Sequence, residues 1–138
     1  MNKKIEIDEV VFLGGATMNG TTITAWPSGS SGAVTVTTLS PALSVTTDLA
    51  TGDVFNITLT GSTMLMNPIN AVNGKAYTWY INQGTGSHTI TLGNKFKIPS
   101  TATIPLAWST AASAMDIFAV RADTDKQLFY VVSMVAGY

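Results

Sequence analysis

The sequence predicts an all-β fold: an antiparallel β-sandwich or jelly-roll-like barrel with an extended N-terminal arm. Three observations carry this. Short segments alternate apolar and polar residues with the period of two that a half-buried strand requires. Gly, Pro and Asn punctuate those segments at the spacing of sandwiches and barrels. Composition points the same way: the 138 residues include 21 Thr, 12 Gly and 8 Asn, all poor helix formers, and only 11% are charged. With 46% hydrophobic residues, the chain can fill one core of a single domain, and disorder is excluded as its main state.

The elements follow in order. Ile5–Leu13 reads as a strand with partial alternation, broken by Gly14-Gly15, and Thr21–Trp26 as a second short strand. Pro27-Ser28-Gly29-Ser30-Ser31-Gly32 reads as a flexible linker, so residues 1–32 form an arm or appended strands and residues 33–138 the main β-domain. Strands are then expected over Ala33–Leu39, after the break at Pro41 over Leu43–Thr47, and over Asp53–Thr60. In the last, Phe55, Ile57 and Leu59 share an inward face opposite Asn56 and Thr58. Thr63–Met66 is expected to pair back on that strand after Gly61-Ser62. Ala76–Asn82 and His88–Leu92 read as a hairpin around Gln83–Ser87, and Ile117–Arg121 with Leu128–Met134 as another. Ser109–Met115 is expected to be a loop or a short 3₁₀ turn. No fixed-period repeat is visible.

Charge is distributed unevenly. Five of the fifteen charged residues lie within Met1–Glu9, and none lies in Val10–Thr47, Val54–Gly74 or Ile98–Met115. A surface of Thr, Ser and Asn suits contact with neighbouring subunits, because hydroxyls cost less to desolvate than charges. A net charge of −1 disfavours a nucleic-acid partner. Mean hydropathy is +0.29, but Gly, Pro and Ser interrupt every uncharged stretch, so no membrane span is expected, and the start does not read as a signal peptide.

Chemistry-bearing constellations are sparse. There is no cysteine and one histidine, which excludes disulfides and thiolate metal sites and disfavours a His-based metal site or triad. No cofactor or metal is expected. Asp123-x-Asp125 reads as a polar hairpin tip, since Lys126 stands where a calcium loop needs further oxygen ligands. Asp48 and Asp53 read as turn residues, His88 as a half-exposed sheet histidine, and Gly84-Thr85-Gly86 as a turn without the rest of a nucleotide loop. The aromatics Trp26, Tyr80 and Trp108 remain as interface candidates. The rings Tyr77, Trp79 and Tyr130 belong to the same set, which suits either a core or a sugar-stacking site.

Several runs carry a resemblance. Thr51–Gly61, Asn67-Pro68, Tyr77-Thr78-Trp79, Gly86–Pro99, Trp108–Ala112, Met115-Asp116-Ile117 and Gly137-Tyr138 together resemble a β-domain of tailed-bacteriophage virion proteins, of the head decoration, head fibre or tail-fibre tip type. The resemblance spans Leu49–Tyr138. It implies a non-enzymatic virion structural protein and carries no catalytic residues. A capsid decoration (cement) protein on the head exterior is the first expectation, because the 138 residues hold no long shaft sequence ahead of the domain. The expected partners are the major capsid protein and further copies of the chain, as a homotrimer. Ile5, Ile7, Val10, Phe12 and Leu13 of the arm would anchor to the shell by adding a strand to an exposed edge. The alternative is a tail-fibre or head-fibre tip that binds a host surface receptor or glycan.

Overall fold

The structure, a computed structural model, describes residues 16–18, 21–23, 32–99 and 107–138. The chain divides into two compact units, Met1–Ala33 and Val34–Tyr138. In the first, β1 (Ala16–Met18) and β2 (Thr21–Ile23) form an antiparallel pair with Thr17 opposite Thr22. The arm residues Ile5, Ile7, Val10, Phe12 and Leu13, and Trp26, lie outside the described residues.

The second unit is all-β, with no helix among the described residues. It holds β3 (Val36–Thr38), β4 (Ser44–Val45), β5 (Val54–Thr58), β6 (Thr63–Leu65), β7 (Ala76–Asn82), β8 (Ile90–Leu92), β9 (Phe96–Lys97), β10 (Met115–Asp123) and β11 (Leu128–Val135). A six-stranded sheet runs β3-β5-β7-β10-β11-β9, and a three-stranded sheet runs β4-β6-β8. From β3 to β8 successive strands alternate between the two sheets, so the chain winds as a flattened spiral. β3, β5 and β7 stack in parallel in one wall, and β4, β6 and β8 stack in parallel in the other. The antiparallel β10–β11 pair then closes the wall beside β7, with a bulge at Ala119/Val120.

The expected sandwich is therefore present, but its pairing is mixed rather than antiparallel. Two expected pairings are corrected. β8 does not return on β7; it pairs with β6 in the other sheet. Nor does β6 return on β5; it lies between β4 and β8. Alternation marks the inward face of a strand and says nothing about its partner. The partners were decided at the corners. Leu59 N–H continues the ladder to Asn82 O (2.8 Å) while Thr63 N–H crosses to Thr89 O (2.9 Å), so the chain leaves one wall and enters the other between them. At Gln83–Ser87 the fully buried Gln83 side chain donates to His88 O (3.2 Å) and accepts from His88 N–H (3.1 Å). Gly86, at φ 87°, sits against Thr110 and Ala112 backbone, where a Cβ would meet Ala112 N at 2.7 Å.

Both walls face one core. Phe55, Ile57, Tyr77, Trp79, Ile81, Phe118, Val120, Phe129 and Val131 point inward from the larger sheet, and Val45, Leu65 and Ile90 from the smaller. Leu59 is 2% exposed, so the inward face expected for Phe55, Ile57 and Leu59 is the one observed. The rings form a connected group: Trp79 lies 5.6 Å from Phe55 and 5.8 Å from Phe118, and Phe96 lies 5.7 Å from Phe129, all tilted. Trp108 packs on this core, 5.5 Å from Phe118.

Candidate interaction surface

The winding brings charge to one end of the second unit. The smaller sheet's strands leave their wall through residues 46–53, 66–75 and 93–95, and the β10–β11 tip, residues 124–127, lies at the same end. Asp48, Asp53, Lys75, Lys95, Asp125 and Lys126 lie in these loops, and Arg121, Asp123 and Lys97 lie on the strand ends beside them. Asn67, Asn70, Asn73 and Asn94 join them. At the opposite end, residues 39–43, 59–62, 83–89 and 107–114 carry no charged side chain. Nearby, Asp116 is fully buried: its carboxylate accepts from Ser109 N–H (2.9 Å) and Gly137 N–H (3.1 Å), which ties the last residues of the chain to the body.

The loops of the charged end are fixed from below. Tyr77 and Trp79 are inward residues of β7, and each uses its polar tip on a loop. Tyr77 Oη accepts from Val72 N–H (3.0 Å), and Trp79 Nε1 donates to Thr47 Oγ1 (3.1 Å). Asn67 Oδ1 accepts from Lys95 N–H (2.9 Å), and Asn67 Nδ2 donates to Asn94 Oδ1 (2.9 Å), joining two loops. Asn73 accepts from Thr124 N–H (3.1 Å) and donates to Asp125 (3.2 Å), joining a third. A surface held in this way presents its polar groups without a large ordering cost on binding.

The carboxylates of this end are stabilised as anions. The Asn70 amide, then Ala50 N–H, hold the Asp48 carboxyl below its ordinary value. Lys75, then Thr35 N–H, do the same for Asp53, and Asp53 in turn raises the Lys75 ammonium. Lys126 N–H lowers Asp123, whose carboxylate raises Lys126. The Asp48 and Asp53 carboxylates thus serve separate turns, and the Asp123–Asp125 segment is a hairpin tip. Among the described residues no group of three His, Asp or Glu is placed to hold a metal ion. Thr85 Oγ1 lies 3.2 Å from His88 Nε2 at the uncharged end, and no carboxylate among the described residues bonds that ring.

Two hollows open at the charged end. One, of about 270 Å³, is polar and is lined by Thr35, Thr51, Gly52, Asp53 and Lys75. The other, of about 140 Å³, has apolar walls and a polar rim, between the 66–75 and 93–95 loops and the β10–β11 tip. Neither was among the candidates read from sequence. Part of the signal was present, because Asp53, Lys75 and Lys95 bracket the uncharged runs Val54–Gly74 and Ala76–Asn94.

A second surface lies on the outer face of the six-stranded sheet. The register aligns Thr38, Asn56, Tyr80, Ile117 and Val135 in one row, and Val36, Val54, Thr78, Ala119 and Ser133 in the next. No charge falls in either row. Tyr80 is half-buried at the middle of the first, and Val36 is 59% exposed at the margin of the second.

Residues 44–124, more than half of the chain, match the family model described as "Putative phage tail fibre C-terminal domain". The chain belongs to this family. It is a structural protein of a phage virion. The matched span runs from β4 to the end of β10 and so contains the charged-end loops 46–53, 66–75 and 93–95. No curated protein and no solved structure matches the chain.

Proposed function

We propose that this chain is a tail-fibre tip protein that binds a receptor on the host surface, with a glycan as the receptor class, through the charged end of its second unit. The segregation of charge carries the reading. A structural unit whose remaining described surface carries no charge gathers nine charged side chains and four asparagines at one end, on loops pinned to the core and on the strand ends beside them. Sugar hydroxyls are recognised by such carboxylate, amide and ammonium groups on a preformed surface. The family match favours the fibre over the capsid shell. The action is binding and not catalysis.

The two charge-free rows on the outer face of the six-stranded sheet, centred on Tyr80, are where copies of the chain associate into a homotrimer. Area that mixes Val, Ile and Tyr80 with uncharged polar side chains suits subunit contacts, where charge is depleted and Tyr enriched. Sedimentation of the full chain checks this: a trimer is expected, and Tyr80→Asp should shift it to monomer.

The receptor reading is tested by competition. Purified chain added to host cells should block adsorption of the phage that carries it. Folded chain that gives no protection, yet binds bare capsids, would return the assignment to capsid decoration.

A further inference from the structure

The smaller hollow has the build of a ligand site. Its floor is apolar: Ala122 and Phe129 are 3% and 5% exposed, and Pro68 is buried beside them. Its rim is polar and carries Lys95, Asp123, Thr124 and Gln127. A floor of hydrocarbon under a rim of hydrogen-bonding groups matches a sugar ring, which presents C–H bonds on its faces and hydroxyls at its edge. At about 140 Å³ the space suits one ring and not a chain of them.

The charges on the rim are not equivalent. Asp123 is already satisfied, accepting from Lys126 N–H at 3.0 Å with Lys126 Nζ at 3.3 Å from its other oxygen. Lys95 forms no ion pair among the described residues. Among those residues its ammonium donates only to the neutral Gln127 Oε1, at 3.0 Å. Its backbone is held from both sides, by Asn67 Oδ1 at 2.9 Å and by Phe129 N–H at 3.0 Å. An ammonium bonded to one neutral side chain at the edge of an apolar floor, on a backbone held from both sides, leaves one positive charge for a ligand to neutralise.

We infer that this hollow is a subsite for a single acidic sugar, with its carboxylate at Lys95, its hydroxyls at Thr124 and Gln127, and its ring face on Pro68 and Phe129. The inference rests on the reading of the chain as a receptor-binding tip.

The experiment is amide NMR of the full chain titrated with glucuronate, galacturonate and N-acetylneuraminate, each against a neutral sugar of the same ring type. At least one acidic sugar is expected to shift Lys95 and the amides of Ala122–Phe129. Its neutral counterpart and the Lys95→Gln variant should each bind roughly tenfold more weakly, the effect of losing one charge-assisted hydrogen bond. Thr60→Ala, exposed at the uncharged end, should titrate like the parent. No shift at the hollow with any acidic sugar, or equal binding of the neutral sugars, overturns the subsite. Adsorption competition by the unmodified chain reads the underlying function separately. Protection of cells without a response at the hollow removes the subsite alone, and loss of both removes the receptor reading with it.

Discussion

The two ends of the second unit are built from the same strands and differ in almost everything else. At the charged end, loops 46–53, 66–75, 93–95 and 124–127 carry ion pairs and amide side chains bonded to one another. At the other end the loops are uncharged and are held by backbone groups, by the buried polar side chains Thr63, Gln83 and Asp116, and by Ser62, which accepts from Thr89 N–H. The difference teaches how the winding sorts residues. Each coil leaves the charged end, turns at the far end and returns. Val54–Gly74, between Asp53 and Lys75, is one such excursion, and Ala76–Asn94, between Lys75 and Lys95, is the next. Apart from the buried Asp116, charge recurs only when the chain comes back.

The largest test removes what the ends share. Trp79 is 1% exposed, touches three other rings and holds Thr47 through its indole N–H. Trp79→Ala should cost about 3–5 kcal/mol in chemical denaturation and loosen both ends together. Asp116→Ala should act on one end only. It leaves Ser109 and Gly137 N–H without their acceptor, at about 1–3 kcal/mol, and hydrogen exchange should accelerate at Ser109 and Gly137 with the charged-end amides unchanged.

Acid should act on the other end. Asp48, Asp53 and Asp123 have folded values below the ordinary 3.8. Their stabilisation is complete above that value and is lost as pH falls through the lowered folded values. Lys75 and Lys126 lie above their ordinary 10.5, so their share is complete below it and is lost only as pH rises through the raised values. Hydrogen exchange at Thr35, Ala50 and Lys126, whose amides donate to these carboxylates, should therefore be flat from pH 5 to 9, corrected for intrinsic rates, and accelerate below about 3.8. The smallest effect is expected from Lys75→Gln. The pair with Asp53 is exposed, so the melt should barely move.

Much of the fold was legible. Alternation located the inward faces of Phe55-Ile57-Leu59 and Tyr77-Trp79-Ile81, and the β10–β11 hairpin was visible around its polar tip. Strand partners were not, because a parallel spiral and an antiparallel hairpin share one alternation pattern. The spiral also leaves no fixed period: the register steps from Val36 to Val54 to Thr78 in one wall and from Ser44 to Met64 to Thr91 in the other, in unequal coils. The charge-free runs are visible in the sequence, where they read as subunit surface. That they mark out-and-back excursions needed the winding. Trp108 was an interface candidate, and it packs on Phe118; Tyr80 does face outward.

On the proposed function the charged end meets the receptor and the uncharged end does not. The chain has no cysteine, so a single one can be placed at will. Thr124→Cys lies at the charged end and Thr60→Cys at the other, both exposed, with neither hydroxyl hydrogen-bonded among the described residues. Each is coupled to a bulky maleimide polymer, and binding to host cells is measured for the folded conjugate. The polymer at Thr124→Cys should abolish binding, and at Thr60→Cys it should leave binding near that of the parent. Full binding with the polymer at Thr124→Cys, or loss only with it at Thr60→Cys, would contradict the account.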